Sequence, residues 1–200
     1  LVRNDRAFSN SPNFLFPLTR SNGLWYNLLC KDIPRLPFSA GRKRDLPVED
    51  SQKMRILFLA NVPSPYRVAF FNTLSRSCRL TVLYQLHASA ERDEKWTAAQ
   101  EGDYETVFLK GKATDVDKAL CPGIISWLEK GWDAIVICGN SSPTELLAIS
   151  WCKLRRIPYC LEGDGAFAKS GNGLKERIKA QSIRGATLYL STCQELDKYY

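Results

Sequence analysis

The chain has 200 residues, of which 44% are hydrophobic and 24% charged, a composition typical of a globular protein. No stretch of about 18 consecutive apolar residues occurs, so the sequence predicts no membrane-spanning helix. The net charge is +7, but residues 1–53 hold nine basic and five acidic residues, which leaves only +3 for residues 54–200. So small an excess over most of the chain does not indicate a nucleic-acid partner.

Residues 1–53 differ in composition from the rest of the chain. They contain five of the ten prolines, and no helical or alternating apolar period persists in them. We expect a largely disordered N-terminal extension, because such a segment buries too little apolar surface to offset the entropy of ordering it. Met54 is the single methionine and immediately precedes the strongest predicted strand. This leads to the hypothesis that residues 1–53 are upstream sequence or a dispensable extension.

After Met54, predicted strands and helices alternate. The apolar run Ile56-Leu57-Phe58-Leu59 is typical of a parallel strand covered on both faces, and it predicts a first strand over 55–62. Ser142 begins a helix with a capping signal, because proline follows it directly and glutamate stands three residues later. Further strands are predicted at 80–84, 104–109, 133–138, 157–161 and 187–191, and further helices at 68–74, at 116–130 with a break at Pro122, at 174–184 and after 194. The alternation predicts an α/β fold, an open parallel Rossmann-like sheet with helices on both faces.

The usual cofactor and metal signatures are absent from the sequence. The turn after the first predicted strand contains no glycine, which argues against NAD or FAD, and no P-loop occurs. The seven cysteines form no Cys-x-x-Cys pair, so we expect no metal and no cofactor. Cys138, Cys152 and Cys160 lie in apolar contexts, where buried thiols are expected, and free cysteines in this number indicate a reducing compartment. His87, the single histidine, is expected at the surface.

Ligands of open parallel sheets bind beyond the carboxyl ends of the strands, so the loops at those ends form the candidate site. The segment Ser64-Pro65-Tyr66-Arg67 offers a helix N-terminus and a guanidinium to an anion, and the Tyr66 ring to a sugar. A rigid turn shaped by the prolines, with Arg67 in solvent, explains the segment equally well. In the segment Gly139-Asn140-Ser141-Ser142, the glycine would allow a ligand to approach the backbone closely. A plain turn at the end of the strand is the alternative. The segment Glu162-Gly163-Asp164-Gly165 contains two carboxylates at the end of a predicted strand. They could bind the hydroxyls of a sugar, or one of them could act as a base. An ordinary Asp-Gly turn is the alternative, because such turns are common.

Five basic residues follow these loops in the chain. A solvated helix face explains them, and so does contact with an anionic membrane surface or a lipid pyrophosphate. They are Lys169, Lys175, Arg177, Lys179 and Arg184.

At these loops the sequence becomes similar to a known family. Residues 54–71, and above all the motif Asn-x-Pro-Ser-Pro-Tyr-Arg at 61–67, resemble the opening of bacterial family-4 (group 1) glycosyltransferases that make capsule, exopolysaccharide or lipopolysaccharide. Three later segments are similar to the same proteins in the same order, namely 139–147, 162–165 and 175–192. The resemblance covers residues 54–200.

The resemblance implies a GT-B fold, in which two Rossmann-like domains face each other across a cleft. This chain would be the N-terminal, acceptor-side domain, and the domain that binds the nucleotide-sugar would lie beyond Tyr200, so the chain alone is expected to be an inactive fragment. The full enzyme would transfer a sugar from a nucleotide-sugar to a lipid-linked or polysaccharide acceptor with retention and without a metal. A cytoplasmic location is expected, with peripheral contact at the inner face of the membrane.

The resemblance also implies roles for the loop residues. Asp164 is expected in a catalytic role at the reaction centre. The expected substrate-binding residues are Asn61, Ser64, Tyr66 and Arg67 near the acceptor or the donor phosphate, together with Gly139, Asn140, Glu162 and Gly165 in the acceptor pocket. The alternative is a non-catalytic sugar- or phosphate-binding module with the same sheet. A receiver-type signalling domain is disfavoured, because Asn61 and two prolines stand where such a domain needs acidic residues.

Overall fold

The computed structural model describes residues 2–3, 53–87, 102–163, 177 and 181–191. Of the predicted N-terminal extension, Val2, Arg3 and Lys53 are described, and Val2–Arg3 form a short strand. The rest of the extension, the helix predicted after 194 and most of the helix predicted at 174–184 lie outside the described residues. Of that last helix, Arg177 and residues 181–183 are described and are helical.

In the described part of the chain, a mixed sheet of seven strands forms the centre of the fold, and a separate two-stranded hairpin occurs in addition. The strands of the sheet are β1 (Val2–Arg3), β2 (Arg55–Ala60), β3 (Arg79–Tyr84), β4 (Glu105–Phe108), β7 (Ala134–Cys138), β8 (Cys160–Gly163) and β9 (Leu188–Ser191), and the hairpin consists of β5 (Lys112–Asp115) and β6 (Lys118–Leu120). In space the sheet order is β1-β9-β8-β7-β2-β3-β4. β1 is antiparallel to β9, and the other six strands are parallel to one another.

The order of the six parallel strands defines the switch point at which open parallel sheets commonly bind ligands. Numbered along the chain, they lie in the order third, second, first, fourth, fifth, sixth, as in Rossmann sheets. The chain leaves β2 toward β3 on one side and returns to β7 on the other, so the switch in strand order lies between β2 and β7. All six carboxyl ends lie at the same edge of the sheet. The prediction of an α/β fold with a parallel Rossmann-like sheet is therefore confirmed.

The strands at the centre of the sheet are apolar throughout because both of their faces are covered. In β2, Phe58 belongs to one buried cluster, whereas Leu57 and Leu59 belong to a second. Each of these three side chains is at most 1% exposed. This burial is the physical reason for the continuous apolar runs in the sequence.

Three helices of five or more residues occur among the described residues, namely α1 (Pro65–Ser75), α2 (Ile124–Leu128) and α3 (Pro143–Arg155). α3 begins as predicted, because Ser142 and Glu145 form a complete capping box and proline follows the cap. It ends at Arg155, and the C-cap residue Arg156 adopts a left-handed backbone conformation with φ of 54°. No helix of the described part is long and apolar enough to cross a membrane.

The prediction of a helix over 116–130 is wrong in its first half. The chain there forms the β5–β6 hairpin, and α2 begins only after Pro122 and Gly123. The hairpin is held by Thr144, whose hydroxyl donates to the carbonyl of Ala119 at 2.6 Å and accepts from the amide of Cys121 at 2.9 Å. The Thr144 hydroxyl, more than 20 positions away in the chain, thus satisfies backbone groups of Ala119 and Cys121 that helical hydrogen bonds would otherwise satisfy.

The fifth predicted strand is displaced along the chain. The sequence predicts it over 157–161, but β8 begins at Cys160. Pro158 has no amide hydrogen for the ladder. The amide of Ile157 donates to the carbonyl of Cys152, which still belongs to the end of α3. The strand therefore begins after this turn, and it extends to Glu162 and Gly163.

Candidate functional site

The candidate site lies at the carboxyl edge of the sheet, beside the switch in strand order. The loop after β2 and the loop after β7 flank the switch, and the end of β8 lies next to β7. These are the three places that the sequence predicted. We call the space between them the crevice.

Arg67 and Glu162 form an ion pair in this region. Arg67 belongs to the first turn of α1, and Glu162 lies near the end of β8. Nη1 of Arg67 donates to Oε2 of Glu162 at 2.9 Å. The two residues are 7% and 8% exposed, so the pair is almost completely shielded from water. The structure thus brings together two predicted site residues, and the interpretation of Arg67 as a solvated side chain is wrong.

Cys138, which the sequence predicts only as a buried thiol, joins Arg67 and Glu162 in a cluster of three side chains. It is the neighbour of Glu162 in the register of β7 and β8. Burial by itself lowers the pKa of the Arg67 guanidinium, but the negative charges of the Glu162 carboxylate and, at high pH, of the Cys138 thiolate outweigh burial and raise the pKa above its ordinary value. Burial raises the pKa of the Cys138 thiol well above its ordinary value, and the nearby Glu162 carboxylate raises it further. At neutral pH the cluster therefore holds a charged guanidinium and a protonated thiol, which is a poor nucleophile.

Two further predicted residues lie at the start of α1. Tyr66 is 55% exposed, and the Arg67 guanidinium carbon lies 5.9 Å from the centroid of its ring. Ser64 is the N-cap, but its side chain makes no capping hydrogen bond. In the described part of the chain, its Oγ is a buried oxygen without a hydrogen-bond partner. The turn therefore presents an aromatic ring at the surface and a serine hydroxyl beneath it.

Asn61 has a structural role in the loop after β2. Its Oδ1 accepts a hydrogen bond from the amide of Val62 at 2.9 Å. Its carbonyl oxygen accepts from the amides of Gln85 and Leu86, at 3.1 and 3.0 Å. Asn61 thus joins the loop after β2 to the residues that follow β3.

Gly139 is required by the conformation of the loop after β7. Its φ of +111° disfavours any residue with a side chain, and a Cβ there would lie 3.0 Å from Oε2 of Glu145. That oxygen accepts hydrogen bonds from the amides of Ser141 and Ser142, at 2.7 and 2.9 Å. The Glu145 carboxylate therefore fills the inside of the loop.

Gln85 and Glu145 also lie in this region, although the sequence did not predict them as site residues. Nε2 of Gln85 donates to Oε1 of Glu145 at 3.1 Å, and both residues are 3% exposed. The capping signal identified Glu145 as part of a helix start, but no signal in the sequence connected it with the end of β3. Together they join the loops on the two sides of β2.

The remaining predicted residues are placed as follows. Nδ2 of Asn140 donates to Oγ of Ser182 at 3.2 Å, which links the loop after β7 to the helical residues 181–183. Asp164 and Gly165 lie outside the described residues.

The other chemically active side chains lie apart from the crevice cluster. His87 is exposed and stacks on Phe108 with ring centroids 3.9 Å apart, which confirms the prediction of a surface position. Cys152 and Cys160 are completely buried, as predicted, whereas Cys138 is half-buried. Among the residues that the structure describes, no group of three His, Cys, Asp or Glu side chains could hold a metal ion.

The arrangement as a whole suits the binding of a polar ligand. A guanidinium, a carboxylate and an amide lie at one edge of the sheet, beside two helix starts and an exposed tyrosine ring. Such groups bind hydroxyls and anions by hydrogen bonding and stack on flat apolar faces. A scan against protein-family models and a search of curated proteins find no match to this chain.

Proposed function

We propose that this chain is the acceptor-side domain of a glycosyltransferase that moves a sugar from a nucleotide-sugar to a lipid-linked or polysaccharide acceptor, with retention, in the synthesis of cell-surface glycans. The observation that carries the proposal is the convergence of three loops on one crevice, with Arg67 and Glu162 2.9 Å apart. The segments that resemble family-4 glycosyltransferases contain the same loops. The position of these loops in the fold and their resemblance to family-4 glycosyltransferases thus support the same site.

The side chains at the crevice have the chemistry that a glycan acceptor needs. Sugar hydroxyls donate to carboxylates and accept from amides and guanidinium groups, which Glu162, Asn140 and Arg67 supply. The exposed ring of Tyr66 offers an apolar face on which a pyranose stacks. Substrate specificity in this proposal comes from these groups and from Asp164, which keeps the catalytic role that the resemblance implies.

The proposal includes the finer architecture of a GT-B half, with helices on both faces of the sheet. Two observations support it. α1 contributes Phe71 and Leu74 to the buried cluster that contains Phe58. α2 and α3 contribute Ile124 and Ile149, among others, to the cluster on the alternate residues of β2. The connections of the chain therefore bring apolar helix faces to each set of strand side chains.

The proposed reaction builds positive charge on the transferred sugar and negative charge on the leaving phosphate. In this scheme Arg67 balances the charge of Glu162, so Glu162 binds and orients acceptor hydroxyls and does not remove a proton. The nucleotide-sugar is a co-substrate that the second domain of such enzymes holds. No metal is part of the scheme. A position against the inner face of the membrane belongs to the proposal as well, because the acceptor is lipid-linked.

A non-catalytic sugar- or phosphate-binding module is the second candidate. The same ion pair favours this candidate. Because Arg67 neutralises Glu162, this carboxylate is suited to binding hydroxyls and not to removing a proton. The two candidates agree on glycan binding and differ on turnover, so measurement of both decides between them.

The test begins with the native protein, isolated from its source with an antibody raised against this chain. Incubation with radiolabelled nucleotide-sugars and a membrane lipid extract should place label in the lipid fraction. Binding of glycans without transfer would establish the second candidate and overturn the first. The absence of both binding and transfer would overturn the two together.

A variant of the purified chain links the activity to the crevice. Glu162→Gln should weaken glycan binding, measured by saturation-transfer NMR, by about tenfold, because a charge-assisted hydrogen bond is lost. Glu129→Gln is the matched control, since Glu129 pairs with Arg155 at the surface, away from the crevice. Equal binding by the two variants would contradict the assigned site.

A further inference from the structure

A cavity of about 440 Å³ is lined by α3 and by the helical residues Arg177, Gln181 and Ser182. Oγ of Ser182 accepts the hydrogen bond from Asn140, so the cavity adjoins the loop after β7. None of the described side chains that the proposed function assigns to glycan binding lines this cavity. The proposed glycosyl transfer therefore leaves it without a role.

One face of α3 supplies the apolar part of the lining. Leu146, Ile149, Ser150 and Lys153 follow the i, i+3, i+4, i+7 spacing that places side chains on one face of a helix. Ile149 is almost completely buried, and Leu146 is half-buried. Lys153 lies two helical turns, or about 10 Å, beyond Leu146. This face is therefore apolar at one end and cationic at the other.

Two cationic side chains, Lys153 and Arg177, line the cavity, and none of its described lining residues is acidic. Nζ of Lys153 donates to the backbone carbonyl of Gln181, which is a neutral group. Arg177 is exposed. Among the residues that the structure describes, ion pairs are formed by Arg67, Lys118 and Arg155, and neither cation of the cavity takes part in one.

The electrostatics of Lys153 support an anion in this cavity. Burial lowers the pKa of the Lys153 ammonium, and no negative charge of the described residues offsets this effect. A bound anion would offset the cost of removing the ammonium from water, and it would reduce the repulsion between the ammonium and the Arg177 guanidinium.

We propose that this cavity binds the phosphate monoester of a single-chain lipid. The phosphate lies at Lys153 and Arg177, and the apolar chain lies on Leu146 and Ile149. A phosphate monoester carries a charge of about −1.5 to −2 at neutral pH, which two cations balance, whereas a carboxylate carries a single charge. The planar guanidinium of Arg177 is suited to binding two phosphate oxygens at once.

The size and the lining of the cavity favour this ligand over two others. Inorganic phosphate would leave the apolar lining without a partner. A lipid with two chains is too large, because about 440 Å³ is in the lower half of the usual range for small-molecule sites. The binding of a lipid phosphate does not depend on glycosyl transfer, so its test is independent of the proposed function.

The test is isothermal titration calorimetry of the purified full chain with octyl phosphate at concentrations below those at which it forms micelles. Octyl phosphate should bind with a Kd below about 1 mM. Butyl phosphate and inorganic phosphate should bind at least about tenfold more weakly, because each buried CH₂ group strengthens binding by up to about fourfold. Octanoate has the chain but only one charge, and it should also bind about tenfold more weakly.

Variants assign the binding to the cavity. Arg177→Gln and Lys153→Gln should each weaken the binding of octyl phosphate by about tenfold, because each removes a charge-assisted hydrogen bond. Lys112→Gln is the matched control, because Lys112 is exposed on the hairpin and does not line the cavity. Leu146→Ser should reduce the advantage of octyl over butyl phosphate, a ratio that a general loss of stability would not change. Since Arg177 is exposed, its variant tests the site even if Lys153→Gln fails to fold.

Three results would overturn the proposal. One is the absence of binding heat for octyl phosphate at about ten times the expected Kd. Another is binding of inorganic phosphate or octanoate as tight as that of octyl phosphate, which would define a site for an anion or for a chain alone. The last is a Kd for octyl phosphate that neither cationic variant changes more than Lys112→Gln does.

Discussion

Arg67 and Glu162 are 95 residues apart in the sequence, yet their side chains meet at 2.9 Å beneath the crevice. Arg67 comes from the helix that follows β2, and Glu162 comes from β8, with β7 between the two strands. The ion pair therefore ties the two sides of the crevice together across β7. Because both side chains are about nine-tenths buried, the pair acts on the stability of the fold as well as on the site.

Removal of one partner of this pair should be costly. Glu162→Leu leaves the Arg67 charge buried without its carboxylate, and we expect the free energy of unfolding to fall by about 3 kcal/mol. The double variant Arg67→Met/Glu162→Leu should recover most of that loss, because an apolar pair of similar volume needs no charge compensation. Urea unfolding of the two single variants and the double variant completes the cycle.

The exposed pair of Arg155 and Glu129 is the control for this cycle. Nε of Arg155 lies 3.5 Å from Oε1 of Glu129, and the two side chains are 59% and 44% exposed. Glu129→Ala should cost less than about 1 kcal/mol, because water screens the pair. A loss as large as that of Glu162→Leu, or a double variant less stable than both singles, would contradict the role assigned to burial.

The sheet could be predicted from the sequence because its strands are buried on both faces. The apolar runs over 55–62, 80–84 and 133–138 each coincide with a strand of the sheet to within a few residues. The hairpin at 112–120 could not be predicted in this way. Its residues are mostly exposed and show no alternation, and the hydroxyl of Thr144 that holds it lies in a distant helix.

The site was predictable in position but not in its contacts. Parallel strands bring their carboxyl ends to one edge, so the loops after β2, β7 and β8 were expected near each other. Which side chains meet depends on the strand order and on the direction of each helix. The contacts of Arg67 with Glu162 and of Gln85 with Glu145 join residues 95 and 60 positions apart, and no local pattern encodes them.

Gly139→Ala tests the geometry of the loop after β7. The substitution is disfavoured twice, by a φ of +111° and by the 3.0 Å approach of the new Cβ to Glu145, and it should cost about 2 kcal/mol. Gly123→Ala is the matched control. Gly123 has φ of −59°, and a Cβ there would meet nothing within 4 Å beyond its chain neighbours, so alanine should be neutral or stabilising by about 0.5 kcal/mol. Thermal unfolding compares the two, and an equal shift in Tm would contradict the prediction.

Glu145 should matter more than the rest of its capping box. Glu145→Ala leaves the amides of Ser141 and Ser142 and the Gln85 side chain without their acceptor, and we expect a loss of about 3 kcal/mol. Ser142→Ala removes only the hydroxyl that accepts from the Glu145 amide, and should cost about 1 kcal/mol. Urea unfolding measures both. The prediction is wrong if the serine variant loses as much stability as the glutamate variant.

The buried thiols should make the protein sensitive to alkaline pH. Burial raises the pKa of Cys152 and Cys160 from 9.0 to about 12. Between these values the unfolded chain releases the thiol protons and the folded chain keeps them, so stability falls as the pH rises above 9. The expected slope is about 1.4 kcal/mol per pH unit for each thiol. Tyr84 and Tyr159, whose pKa values burial also raises from 10.0, should steepen the decline above pH 10.

Removal of one thiol separates this effect from general alkaline denaturation. Cys152→Ala lowers the stability at pH 8 because it leaves a small cavity, but the decline between pH 9 and the onset of tyrosine ionisation should become shallower by about 1.4 kcal/mol per unit. Cys121→Ala is the comparison, because burial raises the pKa of Cys121 less far and its removal should change the slope less. Urea unfolding under reducing conditions at pH 8, 9 and 10 gives the three slopes. Identical slopes for the parent chain and Cys152→Ala would show that the buried thiol does not carry the pH dependence.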